Sequence, residues 1–164
     1  MISREEILFT GRYTAQNSEN CGKPSRVLLV EDDQALRRYL EVLLTRAGYE
    51  VLTAADGLEG MKLLLGSGEI DLVLTDAIMP NLSGKELCRF LKSTPTLCHL
   101  PIVLLSALDS EHAKEEANGF DALLAKPVTN ELLINCLDNL LSQPRFRKVA
   151  AQVGQLQTSP SSLS

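Results

Sequence analysis

The chain has 164 residues, 45% hydrophobic and 23% charged, with a formal net charge of −5. That length suits one domain with its own core, and the acidic balance argues against nucleic acid as the main partner, because phosphate binding needs a basic face. No stretch approaches the ~18 apolar residues of a membrane span, and Met1–Thr10 has too short an apolar run for a signal peptide, so a cytoplasmic protein is expected.

Aromatics make up only 4% and Trp is absent, so aliphatic side chains must fill the core. Cys21, Cys88, Cys98 and Cys136 match no zinc or redox spacing. They read as free thiols of a reducing compartment.

Residues 1–25 are mixed and polar and end in Asn20-Cys21-Gly22-Lys23-Pro24-Ser25, which reads as a flexible extension. Arg26–Val30 is a short apolar run, as a strand buried on both faces requires. Gln34–Ala47 places Leu36, Leu40, Leu43 and Ala47 on one helical stripe, with Gly48 as its stop. Tyr49–Ala54 is a second strand, and Leu58–Leu65 a second helix stopped by Gly66 and Gly68. Asp71–Thr75 is a third strand. Ser83–Lys92 is a third helix, with Ser83 and Glu86 spaced as a capping box. Pro101–Leu105 is a fourth strand, Asp109–Asn118 a short polar helix and Ala122–Ala125 a fifth strand. Thr129–Leu141 is the last helix, with Leu133, Cys136, Leu137, Leu140 and Leu141 on one side. From 143 onward, a small basic cluster (Arg145, Arg147, Lys148) leads into QLQTSPSSLS, a tail too poor in apolar residues to order itself.

Five strands alternating with five helices predict an α/β fold: a doubly wound parallel sheet with helices on both faces. Alternation alone does not fix the strand order.

In such a sheet the carboxyl ends of the strands share one edge, and sites form there. Four stretches put polar groups at that edge: Glu31-Asp32-Asp33, Asp76, Ser106 and Lys126-Pro127. Three adjacent acids repel one another, a cost a cation would offset, although Asp33 also suits the N-cap of the first helix. Asp76 ends an otherwise apolar strand, where a lone buried carboxylate is costly; a turn-forming Asp is the plainer reading of that residue alone. Ser106 alone is weak, since a Ser after a strand is commonly a helix cap. Pro127 holds Lys126 in extended geometry at the strand end; most such Lys–Pro peptides are trans, with cis open as the minority form. Together the acids suit Mg2+, a hard cation that prefers oxygen, while a lysine and a hydroxyl suit phosphoryl oxygens. His99 and His112 have no sequence partner for metal or nucleophilic work and read as exposed and idle.

The chain resembles the receiver domain of two-component response regulators. The resemblance rests on VLLVEDD (27–33), RAGYEV (46–51), AADGLEGMKLL (54–64), DLVLTDAIMPNLSG (71–84), PIVLLSA (101–107) and NGFDALLAKPV (118–128), and it places a receiver domain over 26–142. It implies the flavodoxin-like strand order 2-1-3-4-5. It implies that Asp76 accepts a phosphoryl group from a phosphohistidine on a sensor histidine kinase or histidine phosphotransfer protein. It implies that Asp32, Asp76 and the backbone carbonyl of Ile78 hold Mg2+ with Glu31 assisting, and that Ser106 and Lys126 engage the phosphoryl oxygens. Such a protein assists its own phosphorylation without turning over an external substrate, and is a monomer or weak dimer.

Several positions depart from the family pattern. Leu123 stands where an aromatic is common, the Ser106–Lys126 segment is short, and Ile78 and Leu108 are apolar where they flank the approach of a hydrolytic water. The 22 residues after Ser142 are too few for a DNA-binding helix-turn-helix with a core, so output is expected through an unknown downstream protein. The alternative is a phosphorylation-independent, receiver-like interaction module, which the loss of an acid or of Lys126 would have favoured. A Mg2+ hydrolase of similar topology usually needs a second acid just after the nucleophile, where Ala77 and Ile78 stand. Neither GxxxxGK[ST] nor GxGxxG is present to suggest a nucleotide site.

Overall fold

A computed structural model describes residues 23–66, 68–107 and 117–146. The elements are β1 (Arg26–Val30), α1 (Gln34–Arg46), β2 (Glu50–Ala54), α2 (Gly57–Gly66), β3 (Leu72–Asp76), α3 (Gly84–Ser93), β4 (Ile102–Ser106), β5 (Ala122–Ala125) and α4 (Asn130–Ser142). The strands form one parallel sheet in the order β2-β1-β3-β4-β5. The expected extension and tail lie outside the described residues apart from their inner ends. So does the expected helix Asp109–Asn118, except for Ala117 and Asn118, which form a turn.

The central strands read as continuous apolar runs because both of their faces are covered. Val27 to Val30, Leu72 to Leu74 and Ile102 to Leu105 are all buried. Alternate side chains point to opposite faces, so each strand feeds two cores. Val27, Leu29, Leu74 and Leu105 meet Leu40 and Leu44 of α1 and Leu133, Leu137 and Leu140 of α4. Leu28, Val30, Val73 and Ile102 meet Leu64 of α2 and Leu87 and Leu91 of α3. Each fully buried leucine contributes about 1.5–3 kcal/mol, and truncating Leu28 or Leu74 to Ala would cost about 2–5 kcal/mol.

The caps explain where the helices begin. Asp33 accepts from the Leu36 amide; Ser83 and Glu86 form a complete capping box; Thr129 accepts from the Leu132 amide. Ser83 is thus the cap that its spacing to Glu86 predicts, while Thr129 is a cap one residue before the helix it was expected to open. The stripe of α1 also differs from expectation. Leu44, one turn beyond Leu40, is fully buried, while Leu36 and Leu43 are only partly covered. Gly66 closes α2 from within instead of stopping it.

Two boundary shifts position the site. β3 extends through Asp76, which sits opposite Leu105, and β4 extends through Ser106, opposite Ala125. The ladder continues because the Ala77 amide still donates to the Leu105 carbonyl at 3.1 Å. The Lys126–Pro127 peptide is cis, the minority form.

Candidate functional site

β1 and β3 are neighbours, with Val30 opposite Thr75, so the residues that leave their carboxyl ends lie side by side. Glu31 and Asp76 therefore share the sheet edge. Lys126 leaves β5, two strands beyond β3, and its long side chain returns across the edge. Its ammonium lies 3.0 Å from Glu31 Oε2 and 2.8 Å from Asp76 Oδ2. Glu31, Asp32 and Asp76 each offer a carboxylate oxygen within 4.8 Å of the others.

Burial grades these groups. Glu31 is 1% exposed, Asp76 is half-buried and Asp32 is exposed. Burial is the main influence on the Glu31 carboxyl and raises its pKa above the ordinary carboxylate range; the hydrogen bond from Lys126 opposes this, and the charge of Asp76 adds to it. Burial alone would lower the Lys126 ammonium. Its hydrogen bonds to Asp76 and Glu31 outweigh that and hold it above the ordinary lysine value.

Backbone and second-rank contacts fix the cluster. The Ala77 amide donates to Asp76 Oδ1 at 2.6 Å, and the buried Thr75 hydroxyl donates to the Asp76 carbonyl at 3.1 Å. The Asp33 amide donates to Glu31 Oε1 at 3.2 Å. Arg37, one turn into α1, donates to the carbonyls of Glu31 at 2.6 Å and Asp32 at 3.3 Å. Gly84 packs so closely that a Cβ there would lie 2.2 Å from the Asp76 carbonyl oxygen. This is a close approach only glycine allows.

Of the residues expected at this edge, Glu31, Asp32, Asp76 and Lys126 converge directly. Ser106 is fully buried at the end of β4, and its carbonyl accepts from the Lys126 amide at 2.7 Å. Ile78 follows on the β3–α3 loop with its side chain 74% exposed. Asp33 turns away to cap α1. His99 is exposed, and His112 lies outside the described residues. Cys88, Cys98 and Cys136 are free thiols, and Cys21 lies outside the described residues. Sequence reasoning missed Arg37 and Thr75. Arg37 had one faint signal: it stands four residues past the cap Asp33, on the same helical face.

The profile described as response regulator receiver domain matches residues 27–138. The chain belongs to this family. It is 35% identical over 138 residues to Response regulator PleD of Caulobacter vibrioides, an alignment covering 82% of this chain and 29% of PleD; the chain thus spans less than a third of that relative. The receiver domain of a signal transduction histidine kinase from Syntrophus aciditrophicus superposes with a TM-score of 0.68 at 26% identity, covering 85% of this chain and 99% of that one. Response regulator protein TrrA of Thermotoga maritima, in complex with Mg(2+)-BeF, superposes with a TM-score of 0.64 at 30% identity, covering 71% and 98%.

As a receiver domain the chain is a signalling module of two-component systems. Receiver domains typically bind Mg2+, and the hard oxygen donors of Glu31, Asp32 and Asp76 fit that cation. Among the described residues no helix is long and apolar enough to cross a membrane.

Proposed function

We propose that this receiver domain, spanning 26–142, is the phosphoacceptor of a phosphorelay. Asp76 takes a phosphoryl group from a phosphohistidine on a sensor histidine kinase or histidine phosphotransfer protein. The observation that carries this reading is the convergence of three carboxylates within 4.8 Å, with an ammonium 2.8 Å from Asp76. In the transfer, a carboxylate oxygen of Asp76 forms the bond to phosphorus. The phosphorus–nitrogen bond of the donor breaks, and the imidazole keeps the electron pair and gains a proton.

Positioning and charge neutralisation dominate such reactions. Lys126 pairs with the phosphoryl oxygens and the Ser106 hydroxyl hydrogen-bonds to them. Glu31, Asp32, Asp76 and the carbonyl of Ile78 would hold Mg2+, which when bound neutralises charge on the transferring group. Output passes by protein–protein contact in the cytoplasm, and no external substrate is turned over.

The test is labelling with acetyl phosphate and Mg2+, followed by mapping of the modified residue. Label on Asp76, lost in Asp76→Asn and weakened in Asp32→Ala, is the expected result. Robust acid-labile phosphorylation of Asp76→Asn would refute the assignment.

A further inference from the structure

The Asp56-Gly57 pair opens α2 across from the β3–α3 loop. The Asp56 side chain makes two contacts of different kinds. Its Oδ1 accepts from the Glu59 amide at 2.8 Å and so caps α2. Its Oδ2 accepts from Asn81 Nδ2 at 2.7 Å, a contact that spans 25 residues of sequence. Both hydrogen bonds favour the carboxylate, and the Asp56 pKa lies below the ordinary range.

Asn81 holds φ at 65°, a left-handed conformation that asparagine tolerates better than most residues. The next residue is pinned as well. Leu82 packs its carbonyl against Gly57, where an added Cβ would lie 2.3 Å from that oxygen. Further back, Ala77 is held through its amide by Leu105 and Asp76, and Met79 is buried. The backbone of Ile78 is therefore fixed from both sides: by β3 and by a loop latched onto α2.

We infer that Asp56 and Asn81 form a latch that sets the Ile78 carbonyl, and thereby the affinity of the acidic cluster for a divalent cation. Neither residue touches the cluster; both are positioning residues. The inference rests on the reading of Ile78 as a ligand. Loop carbonyls have no rotamer of their own, so their aim depends wholly on the backbone on either side, and one side of this loop is anchored through Asn81.

The experiment is calorimetric titration of the unphosphorylated protein with MgCl2 alone. Asn81→Gly keeps the positive φ at no steric cost and deletes the latch without changing charge. Its Mg2+ affinity is expected to fall about three- to tenfold, the range that one net hydrogen bond can shift. Asn81→Asp sets two carboxylates against each other and should open the latch. Adding Asp56→Asn restores a donor–acceptor pair at the parent's net charge, and should return the affinity to within about twofold of the parent. Circular dichroism establishes that each variant is folded. If Asn81→Gly binds Mg2+ like the parent, or if the swap fails to rescue Asn81→Asp, the latch is refuted. If instead the parent's own Mg2+ binding survives Asp32→Ala with Asp76→Asn, the site reading fails, and the latch with it.

Discussion

Lys126 is the counterion of a buried acid, and replacing it should expose that debt. Lys126→Met keeps most of the aliphatic stem and removes the charge. The ammonium stands 3.0 Å from Glu31 and 2.8 Å from Asp76. At an effective dielectric of about 20, each contact represents about 5–6 kcal/mol of raw Coulomb energy, most of it cancelled by desolvation of both partners. Removing one partner of a fully buried pair typically costs about 3–5 kcal/mol. The Lys126 side chain retains 21% exposure, which screens part of the interaction, so the expected loss is about 2–3 kcal/mol.

The cause can be isolated with Glu31. In the Lys126→Met background, Glu31→Gln replaces the stranded carboxylate by a neutral amide that needs no counterion. The double variant should recover at least half of the loss, about 1–1.5 kcal/mol, and Glu31→Gln alone completes the cycle from which the coupling is read. The assay is urea unfolding at pH 7 followed by far-UV circular dichroism, since the chain has no Trp to report by fluorescence. A coupling below about 0.5 kcal/mol, within ordinary additivity, would refute the counterion role and leave only lost packing.

Two further outcomes follow from the geometry. Tyr49 is buried and donates to Asp138 Oδ1; burial first, and that hydrogen bond second, raise its pKa above 10.0. The folded protein then keeps a proton that the unfolded chain releases, so stability should hold below pH 10 and fall as pH rises beyond it. Tyr49→Phe should cost about 1 kcal/mol at pH 7 and show a shallower alkaline fall in urea midpoints; an identical slope in both proteins would contradict this. Ile78 is 74% exposed beside Asp76 and cannot hydrogen-bond an attacking water, so self-dephosphorylation should be slow; Ile78→Asn should speed phosphoryl decay, and an unchanged rate would show that backbone geometry alone sets it.

How much could be read from the residues depended on whether a contact is local or topological. β1, β3 and β4 were legible because a strand covered on both faces must be apolar throughout. The caps Asp33 and Ser83 were legible because capping is settled within four residues, whereas Thr129 was read as the first residue of the helix it caps. The strand order was not legible from alternation, and came from the family resemblance. At the site, Glu31, Asp32, Asp76 and Lys126 could be placed on one edge by the rule for parallel sheets. Their partners could not. Lys126 reaches Glu31 across 95 residues of sequence, and Asn81 reaches Asp56 across 25. Such pairs exist only because the sheet order brings the strand ends and loops together. Thr75 was hidden for the opposite reason: within an apolar strand, a threonine looks like one more β-branched residue.

Leu123 shows where the fold and the family pattern part. It sits on β5 opposite Leu104, partly buried, and a leucine can neither hydrogen-bond to Ser106 nor swing a ring toward it. What ties β5 to the site is different. The Lys126 amide donates to the Ser106 carbonyl at 2.7 Å, and the Lys126 ammonium is shared between Glu31 on β1 and Asp76 on β3. A change of charge at Asp76 therefore acts on Lys126 directly, through a contact of 2.8 Å, and on the backbone joining β4 to β5 through that same residue. Glu31, buried and dependent on the same ammonium, resists its departure. In this chain the contacts that link the acid to β5 are an ion pair and a main-chain hydrogen bond, both made by Lys126.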